Sequence, residues 1–225
     1  GNLGLTYLFS GNWQAQAQLD YWLSNTLQSA AASTNLRSFS TLAYGIGLQR
    51  QQLDFLPNPR KGMQLKALYL VGNKKAEAEQ LTWRIELTQR YFVPLSKRQV
   101  LCLSQEFDHI KASSLYANEL YRFGGLERMR GFDEEAFFAS TVVFAGLEYR
   151  FLLDEYAHVL VFSDWSWFEN KVLSSAQTTL YALGLGLVLG SDNGQFKLSY
   201  GLGAELGKGL QFNAGKLHLG YISYF

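Results

Sequence analysis

The stretch LTWRIELTQRYFV, residues 81–93, separates into two rows when it is read in steps of two. The odd-numbered row is apolar and aromatic except for one glutamine, and the even-numbered row carries all of the charges. A period of two is the period of a β-strand, in which successive side chains point to opposite faces. Residues 81–93 therefore predict a strand with one apolar face and one charged face.

The same period recurs in roughly eleven segments, most of them about ten residues long, which is the strand length of a membrane-spanning barrel. Tight turns alternate with longer polar connections, as in such barrels, whereas the loops of a soluble β-sandwich need not alternate. An all-β, transmembrane antiparallel β-barrel is therefore predicted. Its strands are 3–10, 12–24, 38–53, 62–73, 80–94, 98–111, 140–153, 157–169, 178–190, 195–207 and 215–225.

Composition excludes several other classes of protein. Hydrophobic residues make up 48% of the chain and charged residues 17%, but the uncharged apolar stretches are too short for a membrane helix. A net charge of +1 gives no argument for nucleic acid as a partner. Cys102 is the single cysteine, and His109, His158 and His218 lie on separate segments, so no metal or cofactor site is expected.

Counting strand directions gives a further expectation. If the last segment ends on the side of the tight turns, the first and last segments run the same way and cannot pair antiparallel to close a ring. Open edges cannot face lipid, because every backbone polar group there must be hydrogen bonded. We therefore expect the complete barrel to contain strands upstream of Gly1.

The longest connection, residues 112–139, contains the stretch RFGGLERMRGF at residues 122–132. Two later features accompany it: Glu148 on the next predicted strand, and FSDWS, residues 162–166, on the one after. Together they resemble the loop motif and the following strand motifs of the BamA/TamA family of outer-membrane β-barrel assembly proteins. Ser166 stands where the family has glycine, which departs from the pattern.

Two features outside the loop add to the resemblance. The turn DFLPNPRKG, residues 54–62, is similar to a Phe-Pro-Thr-x-Gly turn of the family. His218, Gly220 and Phe225 are similar to the C-terminal signal that the assembly machinery reads on outer-membrane barrels, although Ser223 replaces an apolar residue. The resemblance implies that residues 1–225 are about eleven C-terminal strands of a barrel of roughly sixteen, with upstream strands and periplasmic POTRA domains outside this chain.

Alternation predicts what the arginine-rich loop binds. Glu148 and Asp164 lie on rows that point into the lumen, and a loop folded inward places the Arg130 guanidinium between them. Gly131 supplies backbone freedom beside it, and Phe132 packs on a glycine-lined wall. We therefore predict a latch between the extracellular loop 112–139 and the lumen. The glycines expected to make room for it are Gly184, Gly186, Gly201 and Gly203.

Other features receive simpler interpretations. Arg122 and Arg128 are expected to be solvated or to bind surface sugar and phosphate groups. Glu148 and Asp164 are not interpreted as a catalytic pair, because barrel lumens are commonly lined with charges. Two aromatic groups are expected to form girdles at the outer and inner interfaces, namely Trp165, Trp167 and Phe168, and Tyr221, Tyr224 and Phe225.

The resemblance implies insertion, assembly or translocation of other proteins in a bacterial outer membrane, with no enzymatic chemistry. Client strands would add at a lateral seam formed on one side by residues 215–225, where Gly220 weakens pairing and Tyr221 lies beside it. Expected partners are outer-membrane lipids and lipopolysaccharide, client barrels, periplasmic chaperones and accessory lipoproteins. Two alternatives stay open: a passive channel or structural subunit of a complex, and a barrel tethered to an upstream hydrolase domain.

Overall fold

The structure, a computed structural model, describes residues 1–9, 11–25, 35–173 and 176–224. Two short 3-10 turns, Ala117–Glu119 and Phe212–Ala214, accompany the strands, and no helix within the described residues is long and apolar enough to cross a membrane. The strands are β1 (Asn2–Phe9), β2 (Trp13–Ser24), β3 (Phe39–Leu53), β4 (Gly62–Lys75), β5 (Glu79–Pro94), β6 (Gln99–Ala112), β7 (Tyr121–Phe123), β8 (Phe137–Ala139), β9 (Thr141–Leu152), β10 (His158–Asn170), β11 (Ala176–Ser191), β12 (Gly194–Glu205) and β13 (Lys216–Ser223).

Eleven of these strands form one antiparallel sheet in chain order, from β1 at one edge to β13 at the other. The chain leaves the sheet after β6 and returns at β9, so β6 pairs directly with β9. Each predicted strand segment corresponds to one of these eleven strands, with small differences at the ends, which confirms the predicted all-β antiparallel fold. The hairpin of β7 and β8 was not predicted, because three residues are too few to display a period of two.

The two faces of the sheet differ as the sequence alternation predicts. On β11 the odd-numbered side chains Leu183 and Leu185 are exposed on the exterior, whereas Ala182 is fully buried on the interior. In the stretch 81–93 the charged row faces inward, where the Glu86 carboxylate accepts a hydrogen bond from the Tyr121 hydroxyl at 3.2 Å. An apolar exterior around a polar interior is the reverse of a soluble protein and typical of a membrane barrel.

One part of the predicted aromatic girdles is wrong. Phe168 lies on the even-numbered row of β10, and its ring packs inside the sheet against the Phe123 ring, with 5.2 Å between centroids. Trp165 lies on the odd-numbered row and is exposed on the exterior. Tyr221 and Tyr224 also have exposed side chains, while Phe225 lies outside the described residues. Strict alternation along β10 separates Phe168 from its tryptophan neighbours.

The apolar exterior leads to a prediction about membrane stability. Leu183→Arg places a cation at the middle of β11 on the exterior, where it should lower the free energy of unfolding in lipid bilayers by about 2–4 kcal/mol. Leu206→Arg, just beyond the end of β12, is the matched control and should cost no more than about 1 kcal/mol. Denaturant titration of the full-length protein in vesicles measures both, and equal costs would contradict a lipid-facing exterior.

Candidate functional site

The connection between β6 and β9 crosses the interior face of the sheet. It contains the turn Ala117–Glu119 and the hairpin of β7 and β8, and the tip between the two hairpin strands carries Arg128 and Arg130. Arg130 is only 8% exposed, which is uncommon for a loop arginine and requires compensation of its charge.

The Arg130 guanidinium is held by two carboxylates. Its Nε donates to Asp164 Oδ2 at 3.0 Å and its Nη2 to Asp164 Oδ1 at 2.7 Å, while its Nη1 donates to Glu148 Oε1 at 2.5 Å. The backbone N–H of Arg130 also donates to Asp164 Oδ2 at 3.0 Å. The fork geometry of the guanidinium allows this bidentate contact, which a lysine cannot make. We call Arg130, Glu148, Asp164 and Phe162 the arginine site.

Strand register explains how the arginine site forms. Phe162 on β10 lies directly opposite Glu148 on β9, and Asp164 lies two residues further along β10 on the same interior face. The guanidinium carbon of Arg130 therefore sits over the Phe162 ring, 3.8 Å from its centroid, while its edges reach both carboxylates. Gly184, opposite Phe162 on β11, has no side chain, and a Cβ at that position would collide with the ring.

The two carboxylates depend on Arg130 to different extents. Glu148 has a second cation, because Arg150 Nε donates to its Oε2 at 2.7 Å. Asp164 is fully buried, and every hydrogen bond to its side chain within the described residues comes from Arg130. Burial lowers the pKa of Arg130, but the hydrogen bonds with Asp164 and the negative charge of Glu148 outweigh it, so the pKa of Arg130 is raised. Arg130 is therefore charged at every physiological pH.

Glycines allow the loop backbone to lie directly against the interior face of the sheet, which we call the wall. Gly131 has φ +124°, a backbone conformation that favours glycine, and it lies beside β12. A Cβ at Gly201 would lie 2.5 Å from the Arg130 carbonyl oxygen, and one at Gly203 would collide with the Phe132 ring. The structure thus brings Arg130, Gly131 and Phe132 onto this wall, whereas the nearest atoms to Gly184 belong to the wall itself.

A hydrophobic core beside the arginine site joins the loop to the wall, and it was not predicted from the sequence. Met129 is fully buried although its φ is +60°, a value that few non-glycine residues adopt. Phe144 lies on the same inward row as Glu148, and Phe168 on the same inward row as Asp164, so alternation could have identified both as core residues. The core consists of Phe123, Met129, Ala139, Val142, Phe144, Phe168, Leu180 and Ala182, with Phe132 and Phe137 packed against it.

Arg128 also binds the wall, so the expectation that it is solvated is wrong. Its Nε lies 2.5 Å from Glu106 Oε2, and its Nη1 donates to Asp108 Oδ2 at 2.6 Å. Both carboxylates are buried on the even-numbered row of β6, which alternation along that strand could have revealed. Arg122, in contrast, is 49% exposed and pairs with exposed Glu135 at 3.3 Å.

A second buried ion pair attaches the start of the loop to β4. Lys74 Nζ donates to Glu119 Oε2 and to the Ser114 carbonyl oxygen, both at 2.6 Å, and lies 4.2 Å from the Tyr116 ring centroid. Both charged side chains are at most 2% exposed. Asn118 Nδ2 extends the contact by donating to Ser24 Oγ at 2.7 Å. The loop is therefore attached to strands on both sides of β6.

The turn between β3 and β4 approaches the interior from the opposite end. Gln195 Nε2 donates to the Pro57 carbonyl oxygen at 3.4 Å, and the Phe55 and Tyr156 rings pack edge to face at 5.6 Å. A polar cavity of about 380 Å³ lies between this turn and the loop. Its lining includes Arg130, which marks the boundary between the cavity and the arginine site. The similarity of residues 54–62 to a family turn did not predict this contact.

The residues predicted for the seam are divided between the two faces of β13. His218 is buried on the interior, whereas Tyr221 is exposed on the exterior. Gly220 pairs with Lys197 in the ladder, and a Cβ at Gly220 would collide with the end of the Leu126 side chain from the loop. Gly220 thus provides space for the loop within a regular ladder. These residues do not join the arginine site.

A sheet with an apolar exterior and an inward loop held by buried ion pairs defines a transmembrane β-barrel with an internal loop. Residues 1–217 match the model of the Omp85 superfamily domain, and the chain belongs to this family. The resemblance to the BamA/TamA family is thereby confirmed. Curated protein sequences give no match.

Two solved structures share the fold. BamA from Haemophilus ducreyi lacking POTRA domains 1–3 superposes with a TM-score of 0.76 and 12% identity over 99% of this chain. CdiB from Acinetobacter baumannii superposes with a TM-score of 0.66 and 14% identity, again over 99% of this chain. The chain spans 53% and 41% of the length of these two chains. At such identities the likeness concerns the fold alone.

Removing Arg130 should release the loop. Arg130→Ala removes both side-chain hydrogen bonds and the compensating positive charge from the buried Asp164 carboxylate, which should cost about 3–5 kcal/mol. We expect faster protease cleavage within residues 122–132 of the full-length protein in detergent. Arg122→Ala, in the same loop but in an exposed pair, is the control and should cleave as the parent protein does. Equal cleavage of both variants would show that the arginine site does not hold the loop.

The close approach of the loop to β12 should make Gly201 intolerant of substitution. Gly201→Ala introduces a methyl group 2.5 Å from the Arg130 carbonyl oxygen and 2.8 Å from the Gly131 nitrogen, so the loop backbone must move, at a cost of about 1–3 kcal/mol. The midpoint of thermal unfolding should fall. Gly209→Ala, where nothing lies within 4 Å of the new Cβ, is the control and should leave the midpoint unchanged.

Proposed function

We propose that this chain is part of an integral outer-membrane protein of a Gram-negative bacterium that inserts, assembles or translocates other proteins. The observation that supports this most directly is the arginine site, because it lies in the loop whose sequence resembles the BamA/TamA motif. Membership in the Omp85 superfamily supports the same general activity. The activity requires no bond chemistry, and the charged residues of the interior act by holding the loop.

The edge strand β13 supports the proposed mode of action. It pairs with β12 through eight residue pairs, from Gly194↔Ser223 to Gly201↔Lys216, and is the last strand of the sheet within the described residues. A client strand that adds there gains main-chain hydrogen bonds by β-augmentation. The exterior leucines Leu217 and Leu219 face the side where lipid lies, so an added strand would continue the apolar band.

The proposed partners follow from this mode of action. Client barrel proteins bind at the edge of β13, while outer-membrane lipids and lipopolysaccharide surround the exterior. The BamA structure lacks POTRA domains 1–3, and domains of this kind upstream of the present chain would bind periplasmic chaperones and accessory lipoproteins. We place the loop between β6 and β9 on the extracellular side, since the tight turns that alternate with the longer connections are periplasmic in barrels of this class.

A passive channel or structural subunit is the second candidate function, and the polar cavity of about 380 Å³ inside the sheet is the observation that favours it. Such a protein would conduct ions through the interior without helping other proteins to fold. The two functions make opposite predictions for a client protein offered to reconstituted vesicles.

The test uses the full-length protein in vesicles to which an unfolded client barrel protein is added. The parent protein should accelerate the appearance of the folded client, measured as its heat-modifiable band, and Arg130→Ala should reduce this rate by about tenfold or more, since the loop is released. Arg122→Ala should keep the parent rate. Folding no faster than in empty vesicles, together with ion conductance, would support the passive channel and contradict the proposed function.

A further inference from the structure

We infer that the tip of the internal loop holds the interior face of β13, so that the position of the loop and the freedom of this edge strand are coupled. The inference rests on the proposed function for its consequence, because β13 is the strand at which a client would add. The contacts themselves are independent of that function. They involve Leu126, Asp133 and Glu134 of the loop and Lys216, His218 and Gly220 of β13.

Three successive interior positions of β13 meet the loop. Lys216 Nζ lies 2.8 Å from Asp133 Oδ1, and His218 Nδ1 lies 3.6 Å from Glu134 Oε1. Gly220 is the third position, and its missing side chain leaves space for the end of Leu126. The spacing of two residues places all three on one face of the strand. The loop thus follows β13 along more than half of the strand's length.

A hydrogen bond within the loop holds the residues that contact β13 in position. Glu134 Oε1 accepts a hydrogen bond from the Leu126 N–H at 2.6 Å, so the residue that approaches His218 also fixes the residue that fills the space at Gly220. Gly125, next to Leu126, has φ +101°, which glycine adopts without strain. Leu126 and Glu134 therefore behave as one unit against the edge strand.

This unit is continuous with the arginine site. Glu127 Oε1 accepts from Lys197 Nζ on β12 at 2.7 Å, and Arg130 and Gly131 lie against Gly201 further along the same strand. The segment 126–134 therefore crosses from β10 over β12 to β13. A loop released from Asp164 loses the anchor that positions Asp133 and Glu134.

An edge strand depends on such support more than a central strand does. β13 is the last strand of the sheet within the described residues, so its other side forms the seam at which the proposed function places the client. The ion pair between Lys216 and Asp133 is partly exposed, so it contributes modestly by itself. The contacts of Lys216, His218 and Gly220 with the loop together stabilise the last strand of the sheet. Local opening of such a strand requires little free energy, so small contributions change how often it opens.

The test is hydrogen–deuterium exchange of the full-length protein in lipid nanodiscs, read in peptides that cover residues 216–223. The double variant Asp133→Asn with Glu134→Gln should speed exchange in β13 by roughly three- to tenfold. Glu135→Gln is the matched control, because Glu135 is an adjacent acid that pairs with Arg122 instead. Unchanged exchange in β13, or equal acceleration across β9, β10 and β11, would overturn the inference.

Charge reversal separates the ion pair from a general effect of mutation. Asp133→Lys alone should speed exchange in β13, and adding Lys216→Asp should restore at least half of the protection. Failure to restore any protection would contradict the role of this pair. Leu126→Ala gives a second measure, since it empties the space at Gly220 without altering a charge, and it should also speed exchange in β13.

Coupling to the arginine site is tested separately. Arg130→Ala should speed exchange in β13, and the Asp133→Asn, Glu134→Gln pair should add little to it, because the loop is already displaced. Loop cleavage without faster exchange in β13 would show that the two are independent. Client folding is a different readout, so a protein that shows the coupling but folds no client would contradict the proposed function and leave the coupling intact.

Discussion

The bidentate bond between Arg130 and Asp164 is the interaction on which the interior of this protein depends. Asp164 is fully buried on a strand that cannot move without breaking two ladders, and Arg130 supplies every hydrogen bond that its side chain receives within the described residues. A buried ion pair adds little net stability, since two charges must be desolvated, but it makes the separated state very unfavourable. The pair therefore specifies one loop position more than it strengthens the fold.

The reversed polarity of the sheet explains why such a specific contact is needed. Apolar side chains on the exterior face lipid, so packing against the wall does not by itself hold a loop inside. The loop instead shares a small hydrophobic core with β9, β10 and β11 and is attached through buried pairs such as Lys74 with Glu119. These pairs lie on both sides of the β6 to β9 junction, so the loop joins strands that are distant from one another in the sheet.

The sequence allowed the eleven strands and the direction of Glu148 and Asp164 to be predicted, because a period of two is visible in each strand alone. Contacts between the loop and the interior face of the sheet were harder to predict from the sequence, because they join residues that are far apart in the chain. The binding of Arg128 to Glu106 and Asp108 was missed, although both carboxylates were on an inward row. Phe168 was misplaced because aromatic residues near a strand end were interpreted as a girdle without regard to their row. The docking of Leu126 at Gly220 has no signal in either segment alone.

Gly220 illustrates how the loop and the edge strand share one constraint. A glycine in a strand ordinarily weakens it, and weak pairing at a seam favours exchange of strand partners. Here Gly220 also admits a leucine from a loop whose position is fixed at Asp164, on another strand, through the segment 126–134. The missing side chain of Gly220 and the contact with Leu126 therefore have opposing effects on the pairing of β13 at one residue. We therefore expect β13 to open locally more often when Arg130 is not bound to Asp164.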